Sequence, residues 1–221
     1  MPNRLVMDRS AAQFIERLKN TPPVKGGVAR LIFAVDATSS ETLDHARHIQ
    51  GEMFEATTGL GGFEVKLVFY RGASECKSSR WVTTATELQG LIESVHCSVG
   101  PSQVERVLNF AIREARDHRV NALVFVIGGC LEERIDRLCY VASALTRLGV
   151  PIFAFHEGYC PKVAEAFKQI AALTQGGYLK FDFANTDRLK ELLGAVAVYA
   201  AGGHRALSAY SEIKGLDEIT R

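Results

Sequence analysis

A doubly wound α/β fold, with a mostly parallel sheet covered by helices on both faces, follows from three features of this 221-residue sequence. Short apolar runs alternate with segments whose apolar residues recur at helical spacing. Most of the runs are apolar at every position, as strands buried on both faces require, instead of alternating apolar with polar. Several runs also break off into hydroxyl- or glycine-rich residues, where loops leave the C-terminal ends of parallel strands and ligand sites gather.

The elements follow in order. Ser10 to Asn20 carries Phe14, Ile15 and Leu18 at helical spacing, with Ser10 and Gln13 as a capping box, until Thr21-Pro22-Pro23 breaks it. Leu31 to Val35 is the first strand and delivers its end to Asp36-Ala37-Thr38-Ser39-Ser40. Leu43, Ala46, Ile49, Met53 and Phe54 trace a helix closed by Gly59 to Gly62, and Phe63 to Tyr70 is the second strand. Trp81-Val82 makes a short strand, and Leu88, Leu91, Ile92 and Val95 a short helix. From Ser102 onward Val104, Val107, Leu108, Ala111, Ile112 and Ala115 mark one helix face without a miss, and Ala122 to Ile127 is the next buried strand. A helix over Ile135 to Leu148, a strand over Pro151 to Phe155 and a helix through Val163, Phe167 and Ile170 come next. The strand Tyr178 to Phe183 and a helix from Leu189 to Ala200 complete the pattern, before Gly202-Gly203 and a polar tail. Leu31 to Val35 is expected at the centre, between Phe63 to Tyr70 and Ala122 to Ile127.

With 47% hydrophobic residues the chain can close the core of a single domain, and no run of about 18 apolar residues predicts a membrane span. Charged residues interrupt the N-terminal stretch where a secretory signal would be continuous. The 26 basic and 25 acidic residues give a net charge of +1, which steers the chain to neither nucleic acid nor an anionic membrane. Five cysteines, an odd number without a CxxC pair, fit free thiols in a reducing compartment, so the expected location is cytoplasmic.

Asp36, Thr38 and Ser40 alternate at the end of the first strand, so a carboxylate and two hydroxyls can converge in one turn. Hard oxygen ligands of this kind suit Mg²⁺ or Mn²⁺. Here the sequence resembles the von Willebrand factor type A family and its metal-ion-dependent adhesion site, whose first motif is Asp-x-Ser-x-Ser with Thr tolerated in the middle. A second element, a Thr in a Gly-rich loop opening a long amphipathic helix, corresponds to Gly100-Pro101-Ser102-Gln103. The third, an Asp after the fourth main strand, falls on Gly128 or Gly129, so the carboxylate is missing. The resemblance spans about Arg30 to Ala200 and implies a Rossmann-like topology, a metal held by Asp36, Thr38, Ser40 and Ser102, and a partner protein that completes the metal shell. It divides the chain into an N-terminal helical arm and linker (1–28), the type A-like domain (29–201) and a tail (202–221). With one assured carboxylate, Mg²⁺ or Mn²⁺ is expected to bind weakly or not at all, and Glu132, Glu133 and Asp136 are the places to look for a further ligand. A purely structural reading stands beside this one, because Thr38 with Glu41 and Ser102 with Glu105 each have the spacing of a capping box.

A second constellation is Cys130, His156 and Cys160, which would serve a thiol-dependent enzyme or a soft-metal site. Its bland counterpart is buried free cysteine. Tyr70 and Trp81 read as core or edge aromatics, and His45 and His48 as surface residues. Gly59 to Gly62 lies on the wrong side of a strand for a phosphate loop. The function expected is non-catalytic docking of another protein at the C-terminal edge of the sheet, through Asp36, Thr38, Ser40, Glu41, Ser102, Gln103 and Glu132.

Overall fold

The computed structural model describes residues 2–23, 27–181 and 186–216, with backbone alone for 2–9. Its sheet has six strands: β1 (Ala29–Asp36), β2 (Phe63–Arg71), β3 (Glu75–Val82), β4 (Ala122–Ile127), β5 (Ile152–Glu157) and β6 (Gly177–Phe181). They lie in the order β3-β2-β1-β4-β5-β6, with only β3 antiparallel to its neighbour. β1 is therefore central between β2 and β4, as the apolar runs predict.

Successive residues of β1 supply the two cores. Leu31, Phe33 and Val35 face one layer, formed by α1 (Pro2–Lys19), α2 (Ser40–Ile49), α3 (Glu52–Ala56), α4 (Ala85–Glu93) and α8 (Thr186–Ile213). Ile32 and Ala34 face the other, formed by α5 (Val104–Asp117), α6 (Ile135–Leu148) and α7 (Pro161–Leu173). Leu31 to Val35 are 0% exposed, which is why no polar residue interrupts the run. Phe14 of α1 packs 5.9 Å from Phe153 and 5.3 Å from Phe155, ring centre to ring centre, so the N-terminal helix closes the first layer beside β6.

Local details differ from the expectations for identifiable reasons. Ser10 lies inside α1 and caps nothing, since the helix starts at Pro2. Ser39, not Thr38, caps α2 by accepting from the Thr42 amide. The helix expected over Leu43 to Phe54 divides at Gln50-Gly51 into α2 and α3. β3 is longer than Trp81-Val82, because an edge strand with mostly exposed or half-exposed side chains carries little apolar pattern. The polar stretch after Gly203 is helical to Ile213, with α8 kinked at Gly203. In the strand expected over Tyr178 to Phe183, residues 182 and 183 lie outside the described residues, as do 24–26 of the linker and 217–221 of the tail. Among the described residues, no helix is long and apolar enough to cross a membrane.

Candidate functional site

Three chain segments meet beyond the C-terminal ends of β1, β2 and β4. The Ala37 amide donates to the Tyr70 carbonyl at 2.9 Å, the Ser98 amide to the Ala37 carbonyl at 3.0 Å, and the Gly72 amide to the Ser98 carbonyl at 2.7 Å. These bonds hold the loop before α5 against the ends of β1 and β2.

Asp36, the last residue of β1, is 2% exposed. Its Oδ1 accepts from the Thr38 amide at 2.9 Å and from Thr38 Oγ1 at 2.6 Å. Burial nevertheless holds the carboxyl above its ordinary value of 3.8, the Thr38 donors pulling it back only in part. The fully buried Tyr70 hydroxyl faces Asp36, though without a hydrogen bond of good geometry, and burial followed by the Asp36 charge drives its pKa well above 10. Tyr70 is thus core, as expected from the sequence, and also a wall of the site, which the sequence did not signal.

Ser102 does not cap α5 with Glu105. Its amide and its hydroxyl both donate to Glu132 Oε2, each at 2.8 Å. The cap comes instead from across the loop: Glu133 accepts from the Val104 amide at 2.9 Å and from the Glu105 amide at 2.8 Å. A carboxylate on the first turn also suits the helix dipole. Burial works against ionisation of Glu132, but the two Ser102 donors prevail and lower its pKa. Gln103 points inward, 5% exposed, with Nε2 donating to the Arg71 and Gly72 carbonyls at 3.2 and 3.1 Å. Ser40, Glu41 and Glu132 are exposed.

Beyond β4, the missing carboxylate has a steric cause. A Cβ on Gly128 would stand 2.1 Å from Thr42 Oγ1. Thr42 is fully buried, and its hydroxyl donates to Glu157 Oε2 at 3.0 Å, while Glu157 Oε1 lies 3.0 Å from His45 Nδ1. His45 is therefore a buried partner of Glu157, 1% exposed, and not the surface residue expected; only His48 is exposed. Glu157 ends an apolar run just as Asp36 does, a signal open to sequence reading.

This donor set does not fit a resident Mg²⁺ or Mn²⁺. Asp36 is the one carboxylate beside the Thr38 hydroxyl, Gly128 and Gly129 supply none after β4, and among the described residues no three His, Cys, Asp or Glu side chains are grouped to hold a metal. The Cys130, His156 and Cys160 grouping forms only in part, with His156 and Cys160 lining one cavity. The two thiols meet each other, whereas His156 Nδ1 engages the Tyr178 hydroxyl at 2.8 Å. Burial, then the Lys180 charge, lowers His156 to a pKa of about 4, so its imidazole is a poor base for a thiol.

No protein-family model and no curated protein matches the sequence. Solved structures do resemble it. A von Willebrand factor type A protein from Catenulispora acidiphila superposes with a TM-score of 0.64 at 12% identity, over 80% of this chain and 44% of that one. BatB from Bacteroides thetaiotaomicron gives 0.57 at 14% identity, over 87% of this chain and 100% of that one. Proximal thread matrix protein 1 from the mussel byssus gives 0.60 at 17% identity, over 80% and 47%, and another structure of it has a zinc-occupied adhesion motif. Six strands in this order with a single antiparallel edge, and these structural likenesses, identify the fold of the chain as that of the von Willebrand factor type A domains.

Proposed function

We propose that the chain is a non-catalytic module that docks another protein on the face formed by Asp36 to Glu41, Val99 to Gln103 and Gly128 to Glu133. The observation that carries this reading is a braced surface with an unburied apolar anchor. Glu132 and Glu133 tie the second and third loops together through Ser102, Val104 and Glu105, while Val99, at the start of the second loop, is 87% exposed. A rigid frame lowers the entropic cost of association, and a projecting aliphatic side chain gains from burial against a partner. In this reading Ser40, Glu41 and Glu132 make contacts, and Asp36, Thr38, Ser102 and Gln103 hold the loops. A divalent cation contributes little, since Gly128 and Gly129 leave the end of β4 without a carboxylate to hold it. A cytoplasmic location belongs to the same proposal, supported by five free cysteines.

The test compares immobilised wild type with Val99→Asp and Ser102→Ala on native lysate, with and without chelator. Retention of a protein that both variants lose, unaffected by chelator, is the expected result. Equal retention by wild type and both variants, each still folding cooperatively, would sink the docking face.

A further inference from the structure

On the opposite flank of the sheet lies a cavity of about 340 Å³ between α1, α7 and the edge strand β6. This is near the lower limit for small-molecule sites. Its polar lining comes from Gln13 on α1, His156 at the end of β5, Cys160 and Lys168 on α7, and Tyr178 and Lys180 on β6. Among the described residues, no carboxylate lines it. We propose that this cavity binds a small anionic ligand that presents a phosphate or carboxylate group to Lys168 and Lys180 and accepts a hydrogen bond from His156 Nε2.

The lysines supply charge that nothing in the described residues balances. Lys168 Nζ lies 5.6 Å from the Tyr178 ring centre and Lys180 Nζ 3.8 Å from that of Tyr159, and neither ammonium meets a carboxylate among the described residues. Two such groups on one cavity raise the local anion concentration, and an oxyanion is the complement of that field.

His156 supplies the specific contact. The residue is 1% exposed, and its Nε2 is buried without a hydrogen-bond partner. Buried polar atoms are normally satisfied, so an orphan at a cavity wall marks a place where a ligand atom belongs. Its protonation state follows from the neighbours. Burial and the Lys180 charge keep the imidazole neutral at physiological pH, with a pKa of about 4. Burial also pushes the Tyr178 phenol up to about 12, so the hydroxyl retains its proton and can donate it to Nδ1 across the 2.8 Å contact. With the phenol as donor, the single ring proton sits on Nε2, which becomes a donor with no acceptor. An anionic oxygen between the lysines satisfies it. The Cys160 thiol, at the rim, is engaged by the Val163, Leu131 and Lys162 amides and by Cys130, so it is not needed as a donor.

Inorganic phosphate and acetate, titrated separately into ¹⁵N-labelled protein at constant ionic strength, test the proposal and separate the two oxyanion classes. The expected result is a saturable shift of the His156 Nε2 resonance with one of them, absent at exposed His48. In the double variant Lys168→Gln/Lys180→Gln, whose substituted residues are exposed, the midpoint should rise about tenfold or more. A His156 shift that stays linear to about 100 mM with both anions, far weaker than a built site, would overturn the proposal. So would a midpoint that the double variant leaves unchanged.

Discussion

Restoring a carboxylate after β4 should have opposite consequences at two adjacent glycines. At Gly128 the new Cβ would stand 2.1 Å from Thr42 Oγ1, so Thr42, which is fully buried, must move. Its hydrogen bond to the Glu157 carboxylate is then lost at a cost of about 1.5–3 kcal/mol. Overpacking adds about 1–3 kcal/mol. Gly128→Asp should therefore lose about 2.5–6 kcal/mol of stability. At Gly129 the Cβ would lie 3.9 Å from Asp36 Oδ2 and 4.0 Å from Thr38 Oγ1, in ordinary contact, and the only strain is the positive φ of +63°. Asp tolerates that region better than most residues, so the cost is about 1–2 kcal/mol, including repulsion from Asp36. The added carboxylate would also face Asp36 Oδ2 and supply the ligand that the native site lacks. Mg²⁺ at ten times its Kd should then return about 1.4 kcal/mol to Gly129→Asp and nothing to Gly128→Asp or wild type. Urea unfolding of the three proteins in Mg²⁺ and in chelator measures this. Equal stability of the two variants, or a Mg²⁺ response confined to Gly128→Asp, would refute the steric account of the glycine.

Other outcomes follow from the same geometry. Ser102→Ala removes a hydroxyl donor from Glu132 and should cost about 1 kcal/mol by urea unfolding, with a Glu132 side-chain resonance that titrates at higher pH than in wild type. Carboxyl ¹³C titration should place Asp36 above 3.8 and Glu132 below the usual Glu value. The two groups act oppositely on stability: as pH rises from about 3.8 the unfolded Asp36 ionises before the folded one, so its contribution falls until its folded pKa is passed. The Glu132 contribution is instead present above its unfolded value and lost as pH falls through its folded pKa. Among the thiols, iodoacetamide should modify Cys160 before Cys76 and Cys139: burial opposes ionisation at Cys160 but is outweighed by the Val163 amide and the other donors, whereas burial leaves the other two raised. Peptide mapping after brief labelling reads the order, and Cys76 reacting first would contradict it.

The layers of the fold were legible because they depend on patterns that few other structures produce. A run such as Ala122 to Ile127, apolar at each position, has to be covered on both faces, and largely apolar runs alternating with helices leave little choice of architecture. β3 and the end of α8 were poorly legible because their residues are largely solvated, and a solvated face carries no periodic apolar signal. In the candidate site, sequence spacing correctly singled out Asp36, Thr38 and Ser102 as polar groups at strand and helix ends, but it could not say to whom they bond. The capping boxes failed for that reason. The Thr38 hydroxyl bonds to Asp36 and that of Ser102 to Glu132, while Ser39 caps α2, and Glu132 is 30 residues distant in sequence from Ser102.

The departures from the metal-site motif are connected by one steric and electrostatic cause. Thr42 rises into the space beside β4 because Glu157, two strands from Asp36, draws its hydroxyl and His45 across the sheet edge. With that space filled, only glycine fits at 128, and a carboxylate at that position is excluded. The negative charge on this edge resides instead on Glu132 and Glu133, where Ser102 and the first amides of α5 already supply the donors that a cation would otherwise replace. Each carboxylate is answered from within the chain. A face built in this way does not depend on a metal for its shape, and its loops are held by bonds whose donors and acceptors belong to the protein. The consequence reaches function directly: recognition through such a face should persist in chelator, and should depend on what projects from it, above all Val99, rather than on an open coordination position.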